Sequence, residues 1–131
     1  MHVDALPWDF DATVFRCAWE YPVVDYAAEV AFHTAVMGLE TLADDGDYAL
    51  LASPGREFTY AVRRVDGVQP NLDGHRLTLM TRNIEAFAAV LLDRIAIERF
   101  QGSAVQTVLR VVSPAGLVID IWEFPDNAVA D

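Results

Sequence analysis

Residues 25–40, DYAAEVAFHTAVMGLE, and residues 83–98, NIEAFAAVLLDRIAIE, decide the fold. Each opens on a residue suited to capping a helix, Asp25 or Asn83, whose short side chain accepts hydrogen bonds from the exposed first-turn amides. In the second stretch Ile84, Phe87, Ala88, Leu91, Leu92 and Ile95 recur at helical spacing and form an apolar stripe. In the first, Glu29 suits a helix start, and Gly38 accepts the left-handed conformation that closes a helix. The stretches end on Leu39-Glu40 and Ile97-Glu98, which are 58 residues apart, as are Asp25 and Asn83.

Outward from the helices the order of elements repeats. Strands are expected at Phe15–Val24, Glu40–Ala43, Tyr48–Ala52 and Glu57–Val65, then at Arg76–Thr81, Glu98–Gln101, Val105–Val112 and Leu117–Phe124. Residues 67–74, rich in glycine and turn formers, read as a linker. Ser53-Pro54 matches Ser113-Pro114 at a spacing of 60, which a changed loop length explains. The chain therefore reads as one α+β domain over 1–131, built from two βαβββ modules, 13–66 and 75–125. Two units that cannot each bury an apolar face will pair.

The 131 residues are 53% apolar and 22% charged, which argues against disorder. Nine basic and twenty acidic side chains give a net charge of −11, so phosphate backbones and anionic lipid are poor partners; neither nucleic acid nor membrane is expected. One cysteine, Cys17, excludes an internal disulfide and a thiolate zinc cluster. No apolar run approaches the roughly 18 residues of a membrane span, and the acidic first residues are unlike a secretion signal, so a cytoplasmic protein is expected.

Val23-Val24-Asp25, Phe32-His33 and Met37-Gly38-Leu39-Glu40, with Ser113-Pro114-Ala115-Gly116 and Val118-Ile119-Asp120 later, resemble the vicinal oxygen chelate superfamily of glyoxalases, bleomycin-resistance proteins and extradiol dioxygenases. The resemblance covers about residues 13–125. It implies paired modules, each a curved sheet with a helix on its outside, enclosing a cavity, and frequent homodimers. Enzymes of the superfamily hold a divalent metal on the first and fourth strands of each module. Counted from the matching motifs, those positions are Ala18, Tyr60, Arg76 and Asp120. One ordinary ligand and a guanidinium do not make a cation site, so neither metal nor cofactor is expected.

Strand alternation from Ala18 then gives a candidate ligand-binding set of Arg16, Glu20, Tyr60, Arg76, Asp120 and Trp122, with Trp19, Tyr21 and Val23 beneath the helix. Arg76 and Asp120 are expected to pair, and Tyr60 and Trp122 could stack a planar ligand or simply fill a core. Glu20 and Asp120 could act as an acid–base pair, or be neutralised by Arg16 or Arg76. His33 reads as a core or border histidine and Cys17 as a buried small hydrophobe. A register shifted by one would instead gather His75, Glu20 and Asp120 around a metal. Three readings follow: a metal-free protein sequestering an apolar or aromatic ligand, a divergent lyase, isomerase or dioxygenase, or a dimeric interaction module with a closed cavity.

Overall fold

In a computed structural model the chain is described over residues 17–102 and 106–124. The first module runs β1 (Trp19–Val23), α1 (Tyr26–Ala31) continuing into a π-helical turn over Phe32–Val36, β2 (Glu40–Asp44), β3 (Tyr48–Ala52) and β4 (Thr59–Arg64). The second runs β5 (Arg76–Thr81), α2 (Ile84–Leu92), β6 (Glu98–Gln101), β7 (Thr107–Val112) and β8 (Val118–Glu123). Each forms a four-stranded sheet with the order β1-β4-β3-β2 or β5-β8-β7-β6, in which the first pair is parallel and the others antiparallel. Both sheets thus have the same connectivity, and this is the α+β glyoxalase/bleomycin-resistance architecture.

The caps act as their residue types require. Asp25 accepts from the Ala28 amide at 3.3 Å and Asn83 from the Ala86 amide at 3.0 Å. Gly38 closes the first helical segment with φ +82°, a conformation a side chain would strain. The Met37 amide bonds the Phe32 carbonyl, five residues back, and this wide turn leaves Phe32 and His33 both buried.

Alternation divides each sheet into a helix-facing side and an outer side. Tyr21, Val23, Leu51, Val62, Leu109, Val111, Ile119 and Ile121 are buried and join Phe32, Ala88 and Leu91 of the helical segments in one core that spans both modules. The residues at 67–74 are less of a free linker than their composition suggests. Gln69 accepts from the Val24 amide at 2.8 Å and donates to the Pro22 carbonyl at 3.0 Å, satisfying the end of β1, and Leu72 is buried in the core.

Three local expectations are corrected. Glu57 belongs to the turn before β4, because its amide donates to Ser53 Oγ and its carboxylate accepts from the same hydroxyl. Cys17 is exposed: it precedes β1 and lies beyond the cover of the helix. Trp19 has the expected parity, yet it too sits at the uncovered start of β1 and remains 37% exposed.

Candidate functional site

A groove of about 680 Å³ lies where the two modules meet. Trp19, Phe58 and Tyr60 come from the first sheet and its turn, and the whole of β5 with Phe124 comes from the second. Because β5 is an edge strand, both its faces contribute: Arg76, Thr78 and Met80 from the outer side, Leu77 and Leu79 from the helix-facing side. Edge position, rather than alternation alone, decides what the groove displays.

The six residues expected to bind ligand are only partly brought together. Arg16 lies outside the described residues. Arg76 and Tyr60 border the groove, whereas Glu20, Asp120 and Trp122 do not. Glu20 is exposed and bonds Arg63 Nε at 2.5 Å, so among the described residues Arg63, and not Arg76, neutralises it. That bond holds its carboxyl below the usual range. Trp122 is half-buried in β8 and pairs in register with Met80.

Tyr60 faces the other way from Asp120, contrary to the expected equivalence. The Ser53 amide bonds the carbonyl of Phe58, whereas the Ser113 amide bonds that of Leu117. The first turn is thus one residue longer, and a one-residue slip moves every following side chain to the opposite side. Ladder pairing shows the result: Thr78 opposes Asp120, and the corresponding Glu20 opposes Ala61.

Asp120, almost fully buried, accepts from Arg110 Nε at 2.7 Å and from its Nη2 at 3.0 Å. This bidentate bond raises the Arg110 pKa. Arg76 Nη1 stands 3.9 Å from Asp120, so the expected pair is present as an ion pair without a hydrogen bond. The four positions that the family resemblance assigns to a metal therefore hold Ala18, Ala61, Arg76 and Asp120. Two offer no donor, one is a cation, and the carboxylate is already doubly bonded by Arg110, so these residues do not fit a divalent ion. Nor do His75, Glu20 and Asp120 converge: among the described residues no three His, Cys, Asp or Glu are grouped to hold a metal. The His75 ring lies beside that of Trp19, 6.0 Å between centroids.

A second polar cluster lies behind the groove wall. Tyr60 Oη is 2.6 Å from His33 Nδ1, and His33 Nε2 is 2.5 Å from Tyr21 Oη. Tyr21 donates to Glu29 Oε2 at 2.5 Å, and Glu29 Oε1 accepts from the Ala115 amide of the other module at 2.8 Å. One set of donors satisfies the whole chain: Tyr60 donates to Nδ1, neutral His33 donates through Nε2, and Tyr21 donates to Glu29. Burial pushes the His33 pKa down to about 4. Burial first, then the charge of Glu29, raises the pKa of Tyr21 and of Tyr60, so both remain neutral phenols. The apolar helix stripe accounts for an inward His33, and helix-start chemistry for Glu29, without joining the two. Their four-residue spacing, which puts both on one helix side, was the available signal.

No protein-family model and no curated protein matches this sequence. Solved structures do match. An antibiotic-binding protein, TnmS3, from Streptomyces sp. CB03234 superposes with a TM-score of 0.67 at 19% identity, over 85% of this chain and 98% of that one. A bleomycin-binding protein from Streptomyces verticillus, in complex with copper(II)-bleomycin, gives 0.68 at 16% identity, over 86% and 98%. Lactoylglutathione lyase from Agrobacterium tumefaciens gives 0.64 at 14% identity, over 82% and 92%. The chain has the fold of the glyoxalase/bleomycin-resistance proteins, the fold of the vicinal oxygen chelate superfamily. One fold hosts both binding proteins and a lyase, so function must be argued from the groove.

Proposed function

We propose that this chain is a metal-free small-molecule binding protein that sequesters a ligand with an apolar or aromatic body in the groove between its modules. The observation that supports this reading most is the lining itself: Trp19, Phe58, Leu77, Leu79, Met80 and Phe124 supply an apolar wall, with hydroxyl and charged side chains set among them. A volume of about 680 Å³ suits a drug-sized molecule, and burial of its apolar surface would supply most of the affinity. The antibiotic-binding and bleomycin-binding neighbours make the same use of this fold plausible here. A metal-dependent lyase, isomerase or dioxygenase is disfavoured by the donor set, in which two alanines and an arginine accompany one aspartate.

In this reading the protein acts in the cytoplasm, as its lone cysteine and acidic composition suit, and as a homodimer. The outer side of the second sheet exposes Val112, at 50%, which a second copy could cover. Sedimentation would show a dimer, and a monomer at micromolar concentration would remove that part of the proposal. For the binding function, the test is a thermal-shift screen of apolar and aromatic compounds on chelator-treated protein. At least one compound should raise Tm in the intact protein and not in Trp19→Ala. Compounds that stabilise both proteins equally would contradict the assignment of the groove.

A further inference from the structure

The polar end of the groove specifies what its ligand carries. Asp120 has both carboxylate oxygens bonded by Arg110, and Arg76 adds a second guanidinium to that single acid. Arg76 is 3.9 Å from Asp120, beyond hydrogen-bond distance, with its side chain 59% exposed and lining the groove. Thr78, which opposes Asp120 in the ladder, lines the groove beside it. Glu57, the acid that lines the groove, accepts from the Ser53 hydroxyl, and no described carboxylate hydrogen-bonds Arg76. The groove thus offers an anion a guanidinium whose donors no described residue takes up, although the chain's net charge is −11. Over more than about 8 Å, physiological salt screens the distant acids, so the groups beside Arg76 matter most.

We propose that the ligand is an organic anion, a carboxylate or group of like geometry on an apolar body, with its charged end seated on Arg76 and Thr78. The inference rests on the ligand-binding reading above and adds its chemistry. A guanidinium presents a planar fork that matches two anionic oxygens, and a charge-assisted bond of this kind is stronger than a neutral one. A cationic ligand would meet like charge at the same place, and a neutral one would leave the fork unused.

Two dyes with the same aromatic body separate the claims. 8-Anilinonaphthalene-1-sulfonate carries an anion, and N-phenyl-1-naphthylamine lacks it. The intact protein should bind the sulfonate about tenfold more tightly than the neutral dye. Arg76→Gln should weaken sulfonate binding about tenfold and leave the neutral dye within about twofold, with Arg76→Lys between them for the sulfonate. Because the sulfonate also binds loosened proteins, an unchanged near-ultraviolet circular dichroism spectrum must accompany each variant. Equal affinity for the two dyes, or a sulfonate affinity indifferent to Arg76→Gln, would overturn the anion assignment while leaving a hydrophobic groove intact. Failure of both dyes to bind would overturn the ligand-binding reading and this inference with it.

Discussion

The two modules share a topology and differ in which side of the sheet carries buried polar chemistry. In the first, Tyr21, Glu29, His33 and Tyr60 form a buried hydrogen-bonded chain on the helix-facing side. Their counterparts in the second are Leu79, Phe87, Leu91 and Ile119, all apolar. On the outer side the relation inverts. The second module has Arg76, Arg110 and Asp120 where the first has Ala18, Leu50 and Ala61. Alternation keeps the two sides independent, so one module can lock its core to its neighbour while the other equips the groove.

The comparison is most severely tested at Glu29. Glu29→Leu would leave the buried Tyr21 hydroxyl without an acceptor for its proton and the half-buried Ala115 amide without its partner, at a cost of about 3 kcal/mol by chemical denaturation. Replacing the whole set by the second module's solution, Tyr21→Leu, Glu29→Phe, His33→Leu and Tyr60→Ile, should recover most of that loss. An inert Glu29→Leu would mean that the chain contributes nothing to module docking.

The same chain makes stability depend on pH. His33 is neutral in the folded protein down to about pH 4, whereas unfolded histidine protonates near its ordinary 6.5. The unfolded state therefore binds more protons between these values, so stability falls as pH drops from about 6.5 to 4, by about 3 kcal/mol. The groups facing His33 are Tyr21 of β1, Glu29 of its own helix and Tyr60 of β4. Glu20, Asp44 and Glu85, with lowered pKa values, add their own losses only in the more acidic part of the range. Denaturation midpoints between about pH 6.5 and 5 thus isolate His33, and a flat profile there would contradict its burial as a neutral ring.

A smaller effect distinguishes the turns. In Ser53–Arg56, Arg56 takes a left-handed φ of +59°, where the corresponding Gly116 takes +100°. Arg56→Gly should relieve that strain and stabilise by about 0.5–1 kcal/mol, read as a rise in Tm. Its ion pair with Glu40 is 3.9 Å long and exposed, so losing that pair offsets little of the gain. Smallest of all, Glu20→Gln removes an exposed pair with Arg63 and should cost less than about 1 kcal/mol.

These contrasts also show what the sequence could carry. The caps at Asp25 and Asn83, the Leu91 stripe and the matched spacing of both halves are local signals, and they sufficed for element order and fold. Spacing alone misplaces Tyr60, because it does not reveal how many residues a turn consumes, and one extra residue after Ser53 reverses its side. No motif marks Arg110 as the partner of Asp120, since cross-strand pairing joins residues by register and not by proximity to a motif. The groove itself depends on β5 being an edge strand, a fact of tertiary arrangement that alternation along one strand does not contain.

The central claim is that the groove binds an apolar or aromatic ligand without a metal. Titration of chelator-treated protein with N-phenyl-1-naphthylamine tests it most directly, alongside Met80→Glu, which puts a charge in the groove wall at an exposed position where folding is not at stake. The account predicts saturable binding of one dye per groove in the absence of metal, weakened at least about tenfold by Met80→Glu. No binding until a divalent ion is restored, or binding indifferent to the new charge, would contradict it.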